Sequence, residues 1–239
     1  MQLSAYAYTN RGGRDHNEDS LRASAEQGIF VLADGLGGHR CGEVASQAAV
    51  DAIFTGMAQA EALEEASLLD LFRSANEELL RRQAQPGQEE MRTTAVALKL
   101  AGSTAVWAHI GDSRLYRFSN GELAGVTADH SVTYRKFLGG EISYMAVYHD
   151  DDRSRLLRVL GKEPCRPEAG QAAVSPGDAF LLCSDGFWEF VYNEEIQADL
   201  CRARTPEEWA EGMLLRHIRR TPPGSDNFSL ITVFVEACG

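Results

Sequence analysis

The sequence predicts an α+β protein in which mostly antiparallel sheets are covered by helices. Strand-like apolar runs are numerous, some are joined by a hairpin-type turn, and helical patterns come in pairs between the runs. A regular alternation of strands and helices would instead have indicated a parallel sheet. No linker divides the 239 residues, so we expect a single domain over residues 1–239.

The first third of the chain predicts two strands and then two helices. Gln2 to Thr9 alternates apolar and polar residues in places, as a half-buried strand does, and the polar loop RGGRDHNED follows it. Ile29 to Ala33 is a short apolar run that predicts a second strand. Apolar residues at helical spacing predict helices from Glu43 to about Gln59 and from Leu63 to Arg82.

Strand signals dominate the middle of the chain. The dipeptide Asn120-Gly121 is a strong hairpin signal and joins the last two of these strands. Residues 131–158 have weak periodicity and many polar groups, which predicts a mobile excursion that adds nothing to the core. The predicted strands are TAVALKL (94–100), TAVWAHI (104–110), RLYRF (114–118) and ELAGVT (122–127).

The last part of the chain predicts two strands that enclose two helices. AFLLC, residues 179–183, reads as a strand, and a helical stretch begins at Asn193. Thr205 is a candidate N-cap, followed by a proline at the first helical position and a capping-box glutamate, Glu208, so a helix is expected to about Arg220. FSLITVFVEA, residues 228–237, is the final strand.

Composition narrows the possible partners and the cellular compartment. The 35 acidic and 23 basic side chains give a net charge of -12, which disfavours nucleic acid and anionic membranes. A phosphate ligand would therefore need a local cation. Five widely spaced cysteines without a C-x-x-C pair indicate reduced thiols. Because signal-peptide and membrane-spanning patterns are missing, we expect a cytoplasmic protein without membrane insertion.

Four aspartates lie at the ends of apolar strands. Asp34, Asp112 and Asp185 follow such runs, and Asp226 precedes one. In antiparallel sheets a strand exit lies beside the entrance of its neighbour, so the four carboxylates can converge at one edge. Converging carboxylates repel one another unless a cation neutralises them, and oxygen ligands favour Mg²⁺ or Mn²⁺. Asp-Gly after a strand is also a routine turn, so the pattern alone leaves both readings open.

Seven short motifs, spanning Arg14 to Ile231, point to a known family. They are RDHNEDS (14–20), ADGLGGH (33–39), GDSRLY (111–116), TADHS (127–131), LLRVLG (156–161), CSDGFWE (183–189) and SDNFSLI (225–231). In this order they resemble the motifs of the metal-dependent protein phosphatases called protein phosphatase 2C, or PPM. The short bacterial form, a single catalytic domain, is most similar. The resemblance implies two antiparallel sheets packed as a β-sandwich and flanked on both sides by helices, with a flap at about 131–158.

The resemblance also implies the metal ligands. Asp34 would bridge two ions, and the Gly35 carbonyl would bind one of them, since glycine lets the backbone approach a metal. Asp185 and Asp226 would complete the other ion's ligands. Asp112 would hold a third, weaker ion alongside Asp185. The ions would be Mn²⁺ or Mg²⁺.

Other roles are assigned by the same resemblance. Arg14 would grip the substrate phosphate as a charged fork, and would be catalytic together with Asp34 and Asp185. Asp19 would act on the metals mainly through coordinated water. The general acid stays open, because Leu36 stands where eukaryotic members have a histidine and His39 is three residues away. Glu18, likewise, is either a direct ligand or a neighbour of the ligands.

The implied chemistry is direct hydrolysis of phosphoserine and phosphothreonine in proteins. Two ions would acidify a bridging water, which attacks phosphorus in line without a covalent phosphoenzyme. The implied partners are phosphorylated proteins and a cognate bacterial serine/threonine kinase whose signalling the enzyme would oppose. We expect a monomer.

Three other functions fit the sequence less well than a metal-dependent phosphatase. Tyrosine-phosphatase chemistry needs a cysteine nucleophile within an arginine-closed loop, and GHRCGE lacks that spacing. An aspartyl-phosphate hydrolase needs D-x-D-x-[ST] at a strand exit, and DDDRS (150–154) lies in a polar segment. A pseudophosphatase that only binds phosphoproteins would be expected to have lost ligand acids, and Asp34, Asp185 and Asp226 are all present.

Overall fold

A computed structural model describes residues 2–36, 41–60 and 64–237 of the chain. These residues form eleven strands and six helices, and a short 3₁₀ turn spans Tyr144–Tyr148. The strands are β1 (Gln2–Asn10), β2 (Asp19–Ser24), β3 (Ile29–Leu36), β4 (Arg92–Thr93), β5 (Ala95–Ala101), β6 (Thr104–Ile110), β7 (Arg114–Ser119), β8 (Glu122–Val126), β9 (Glu168–Ala173), β10 (Ala179–Cys183) and β11 (Phe228–Glu236). The helices are α1 (Cys41–Gln59), α2 (Glu65–Arg82), α3 (Val132–Leu138), α4 (Asp185–Trp188), α5 (Asn193–Leu200) and α6 (Pro206–Arg220).

The strands form two antiparallel sheets. The first sheet has the order β1-β11-β10-β7-β8. The second has the order β2-β3-β5-β6-β9, with the short β4 paired to β3. Helices α1 and α2 pack on the second sheet, whereas α4, α5 and α6 pack on the first. The predicted α+β sandwich flanked by helices is therefore confirmed.

The core consists of three apolar layers, and β3 shows how the sequence produces them. Alternate side chains point to opposite faces of a strand. Phe30 and Leu32 lie in the layer between the two sheets, whereas Ile29, Val31 and Ala33 lie in the layer beneath α1 and α2. Because both faces are buried, this segment is apolar at every position instead of alternating.

Local signals place several boundaries where the sequence predicts them. Asn120 and Gly121 both have positive φ, 52° and 78°, as a two-residue hairpin requires. The Thr205 hydroxyl accepts from the Glu208 N–H at 3.1 Å and caps α6. The Glu208 carboxylate bonds the Arg204 N–H at 2.8 Å instead of closing a capping box on Thr205. Among the described residues, no helix combines the length and apolar composition needed to cross a membrane.

Residues 131–158 contribute to the core, and the prediction that they would not is wrong. The segment contains α3 and the 3₁₀ turn, in which Val147 and Tyr148 are buried beside α4 and α5. Two backbone hydrogen bonds join the start of the segment to its end. Val132 N donates to the Arg155 carbonyl, and Leu157 N donates to the His130 carbonyl. The packing of aromatic side chains and these backbone bonds fix the segment in place, although its sequence has no regular periodicity.

Candidate active site

A cavity of about 220 Å³ lies where strand ends from both sheets meet. The prediction placed the acids at one sheet edge. The structure instead brings them together from two sheets, with Asp34 on β3 of the second and Asp185 and Asp226 at strand ends of the first. The lining residues are Arg14, Glu18, Asp34, Gly35, Leu36, Asp112, Ser154, Leu156, Asp185, Asp226 and Asn227.

Asp34 is placed by the register of the second sheet. It lies opposite Asp19 in the β2–β3 pair, so strand pairing alone brings these two carboxylates close. The Thr94 hydroxyl accepts from the Asp34 N–H at 3.0 Å, and Thr94 N donates to the Asp34 carbonyl at 2.8 Å. Thr94 also bonds Ser113, in the turn that carries Asp112, at 2.7 Å. These contacts fix Asp34 relative to Asp112.

Gly35 is required by close packing between β3 and α1. A Cβ on Gly35 would collide with the backbone carbonyl of Gly42. The glycine after Asp34 therefore has a structural reason in addition to the predicted approach of its carbonyl to a metal.

The first sheet supplies Asp185 and Asp226 from neighbouring strands. β10 and β11 are antiparallel and paired, with Cys183 opposite Leu230, so the exit of one lies beside the entrance of the other. Asp185 follows β10 after one residue, Ser184, and begins α4. A Cβ on Gly186 would collide with the carbonyl of Asn227, so glycine permits the close approach of the two aspartate-bearing loops.

The carboxylates strongly perturb one another. Burial raises the pKa of Asp19 to about 7, aided by the charges of Asp185 and Asp226. Burial, and then the neighbouring carboxylates, hold the pKa values of Asp34 and Asp112 well above the usual range. The pKa of Asp185 is also raised, first by burial. In the absence of a cation the cluster therefore retains protons, as like charges in a poorly solvated site must.

This donor set fits a hard divalent cation. Within the described part of the chain, Asp19 Oδ1 is buried and has no hydrogen-bond partner, although Oδ2 accepts from Ser184 at 2.8 Å. An unpartnered, buried carboxylate oxygen beside several acids with raised pKa values is suited to act as a ligand of a cation. The ligands are all oxygens, which suits Mg²⁺ or Mn²⁺ better than zinc.

Arg14 reaches the cavity on a loop that rests against the Asp226 loop. Its guanidinium donates to the Asp226 carboxylate at 2.8 Å, and both side chains are about half exposed. A Cβ on Gly12 would collide with the Asp226 carbonyl, so glycine permits the close approach of the two loops. The Asn227 amide donates at 2.9 Å to the carbonyls of residues 11 and 16, and Asn227 accepts from Glu18 N at 2.8 Å. Asn227 thus holds the arginine loop.

The predicted flap contributes Ser154 and Leu156 to the cavity wall. The Arg114 guanidinium is fully buried next to the start of the flap. It donates to both carboxylate oxygens of Asp129, at 2.8 and 2.6 Å. It also lies 3.5 Å from the centre of the Trp188 ring, whose N–H donates to the Asp112 carbonyl at 2.9 Å. This buried ion pair joins the start of the flap to the aspartate loops.

The structure brings together every predicted site residue it describes. Glu18 lines the cavity, and burial raises its pKa. Leu36 lines it as well, so an apolar side chain stands where the resemblance places a histidine in other members. His39 lies outside the described residues. The supporting contacts of Thr94, Ser184 and Asn227 were not predicted, although the last two fall inside quoted motifs.

Two other places in the described chain compare poorly with this cavity. A larger cavity, of about 770 Å³, lies between α1 and α2 and lacks converging strand-end carboxylates. His109, His130 and Glu168 offer ligand atoms within 4.8 Å of one another, closer than any three of the site's carboxylates. Gly111 N donates to His130 Nδ1 at 3.1 Å, so one of the ring's two possible ligand atoms is already engaged. The Arg158 guanidinium bonds Glu168 at 2.6 Å, so this group is already neutralised without an ion.

Comparisons with known proteins agree with the fold and show the family. The family described as Protein phosphatase 2C has a sequence model that matches residues 9–213. The serine/threonine phosphatase stp of Listeria monocytogenes is 33% identical over 236 residues, which cover 94% of this chain and 93% of that protein. The structure of the Mycobacterium tuberculosis serine/threonine phosphatase PstP/Ppp superposes with a TM-score of 0.89 and 31% identity, covering 99% and 100% of the two chains. The structure of the PstP catalytic domain in complex with two manganese ions superposes with a TM-score of 0.87 and 30% sequence identity. The superposition covers 98% of this chain and 99% of that one.

The chain thus shares its fold with solved serine/threonine phosphatases. The chain belongs to the protein phosphatase 2C family. It is a protein serine/threonine phosphatase.

Proposed function

We propose that the chain hydrolyses phosphoserine and phosphothreonine in proteins directly at a binuclear Mn²⁺ or Mg²⁺ centre. The observation that supports this most strongly is the set of raised-pKa carboxylates around one cavity, with an orphaned oxygen on Asp19. In the manganese complex of PstP, two such ions are present in a chain of the same fold. The biological role that we propose is to oppose a serine/threonine kinase.

The acids of the cavity would hold the ions. Asp34, the Gly35 carbonyl, Asp185 and Asp226 are the proposed ligands, and Asp112 lies beside them for a third, weaker ion. Asp19 stands behind Asp34, where its unpartnered oxygen would orient water. The cations supply charge neutralisation of the phosphate and acidification of water when they are bound.

The remaining residues of the cavity bind and orient the substrate. The Arg14 guanidinium lines the cavity and donates a hydrogen bond to Asp226. When substrate binds, the same N–H group can donate to a phosphate oxygen instead. Leu36 and Leu156 give the wall an apolar part, which limits the space open to bulk water. The Asp129–Arg114 pair anchors the start of the flap, and Ser154 of the flap lies in the cavity wall.

The proposal is tested with a phosphothreonine peptide and metal-stripped protein. We expect phosphate release with added Mn²⁺ and a return to background after an excess of chelator. A parallel phosphotyrosine peptide is the control for the substrate class. Phosphate release that survives complete chelation would contradict the metal-dependent mechanism, and equal rates on both peptides would contradict the proposed specificity.

Replacing Arg14 by alanine should mainly raise KM. Because the guanidinium binds phosphate in the ground state as well as in the transition state, we expect KM for p-nitrophenyl phosphate to increase about tenfold with a smaller change in kcat. Arg22→Ala is the matched control, since this arginine pairs with Asp51 on the outer surface at 3.5 Å. An unchanged KM in the Arg14 variant would remove it from the substrate site.

A further inference from the structure

His217 contacts the loop that carries Asp185 from the outer helix layer. It lies on α6, outside all of the family motifs, and only 1% of its surface is exposed. Its Nε2 atom is 2.7 Å from the carbonyl oxygen of Gly186, the residue after Asp185. A side chain of the outer layer is thus bonded to the loop that carries a proposed metal ligand.

The imidazole ring also packs against both aspartate-bearing loops. It is nearly parallel to the Phe187 ring, with centroids 5.7 Å apart, and its centroid lies 4.1 Å from that of Phe228. Phe187 is two residues after Asp185, and Phe228 is two residues after Asp226. One ring therefore contacts both loops, directly behind the point where Gly186 meets the Asn227 carbonyl.

The protonation state of His217 follows from its surroundings. Burial lowers its pKa, so the ring is neutral near pH 7 and carries one N–H. A carbonyl oxygen only accepts, which places that proton on Nε2. Nδ1 lies 3.2 Å from the Thr221 hydroxyl oxygen, whose proton is donated to the His217 carbonyl at 2.6 Å. The ring is therefore an oriented donor to Gly186.

We propose that His217 is a positioning residue that sets the separation of Asp185 and Asp226 for metal binding. This inference rests on the proposed function, because the two carboxylates matter only as ligands of one ion. Residues that orient ligands from outside the coordination sphere typically change metal affinity 10- to 100-fold when they are replaced. The effect should therefore appear in the binding of Mn²⁺ itself, before any turnover.

The test compares His217→Phe with Trp209→Phe. Phenylalanine at position 217 keeps an aromatic ring against Phe187 and removes the donor to Gly186. Trp209 is a matched control on the same helix, because it is fully buried and its indole N–H donates to the Ile196 carbonyl at 3.0 Å, in α5. Each change removes one buried N–H to carbonyl bond, but only one of them touches a metal-ligand loop.

Calorimetric titration of metal-stripped protein with Mn²⁺ is the main measurement, with melting temperatures in EDTA beside it. We expect His217→Phe to weaken Mn²⁺ binding about tenfold or more, whereas Trp209→Phe lowers the melting temperature but leaves the affinity unchanged. His217→Gln, which retains a side-chain N–H, should bind Mn²⁺ more tightly than His217→Phe. It also provides the comparison if the phenylalanine variant does not fold.

The outcomes separate this inference from the proposed function. Wild-type affinity in both His217 variants, or equal losses in the His217 and Trp209 variants, would show a merely structural role and overturn the inference alone. A wild-type protein that binds no Mn²⁺ would overturn the proposed function and the inference with it.

Discussion

Asp34→Asn and Asp185→Asn should each abolish phosphatase activity while leaving the protein folded. Loss of a proposed ligand removes several kcal/mol of transition-state stabilisation, which corresponds to a fall of about 1000-fold or more in kcat/KM. Asparagine has the same shape as aspartate, so the packing around the cavity is preserved. Rates on p-nitrophenyl phosphate with saturating Mn²⁺ measure the effect.

Stability in the absence of metal distinguishes this result from misfolding. Each substitution removes one like charge from a cluster whose pKa values are already raised by burial and repulsion. We therefore expect the melting temperature in EDTA to stay the same or to rise. Asp178→Asn is the matched control, because that carboxylate accepts from Ser119 and Ser175, away from the cavity, and its loss should leave activity intact. Near-normal rates in either site variant would refute the ligand assignment.

Mn²⁺ should stabilise the protein far more at pH 7.5 than at pH 5.5. The pKa values of Asp34, Asp112 and Asp185 are raised in the folded chain, and that of Asp19 is about 7. The folded state therefore binds more protons than the unfolded state above about pH 4, and the stability from these groups falls as pH rises through their folded pKa values. A bound cation takes the place of these protons. The metal-dependent gain should differ by a few kcal/mol, or roughly 10 °C, between the two pH values.

The difference between the Mn²⁺ and EDTA melting curves is the quantity to measure. Burial lowers the pKa values of His109, His130 and His217, so these groups make stability rise with pH up to about their unfolded pKa, near 6.5. Their contribution opposes that of the acids but is common to both curves, and it cancels in the difference. An equal gain from Mn²⁺ at both pH values would show that the cavity acids do not hold the ion.

Strand-end chemistry could be predicted from the sequence because it is local. Runs such as Ile29 to Ala33 are apolar on both faces and stop at an acid, which identifies both a buried strand and its exit. β2 and β9 were missed, since Asp19–Ser24 and Glu168–Ala173 are short, carry charged or small residues and have few large apolar side chains. Their strand state is imposed by partners: β2 is paired to β3, and β9 to β6.

The contacts that support the site were beyond sequence reasoning for a different reason. Thr94 meets Asp34 across 60 positions of the chain, and His217 meets Gly186 across 31. Neither residue type indicates a functional contact by itself, because a threonine before a strand or a histidine on a helix usually has only a structural role. The contribution of residues 131–158 to the core was not predicted for a similar reason. Val147 and Tyr148 become buried only by packing against the first sheet and its helices.

The position of β11 bears on when the enzyme becomes active during its synthesis. This last strand lies between β1, the first, and β10, and Asp226 stands at its entrance. A growing polypeptide on the ribosome therefore lacks both an interior strand of one sheet and a proposed ligand until residues 226–236 have emerged. A product that terminates before residue 226 lacks both β11 and Asp226, and we expect it to be inactive as a phosphatase.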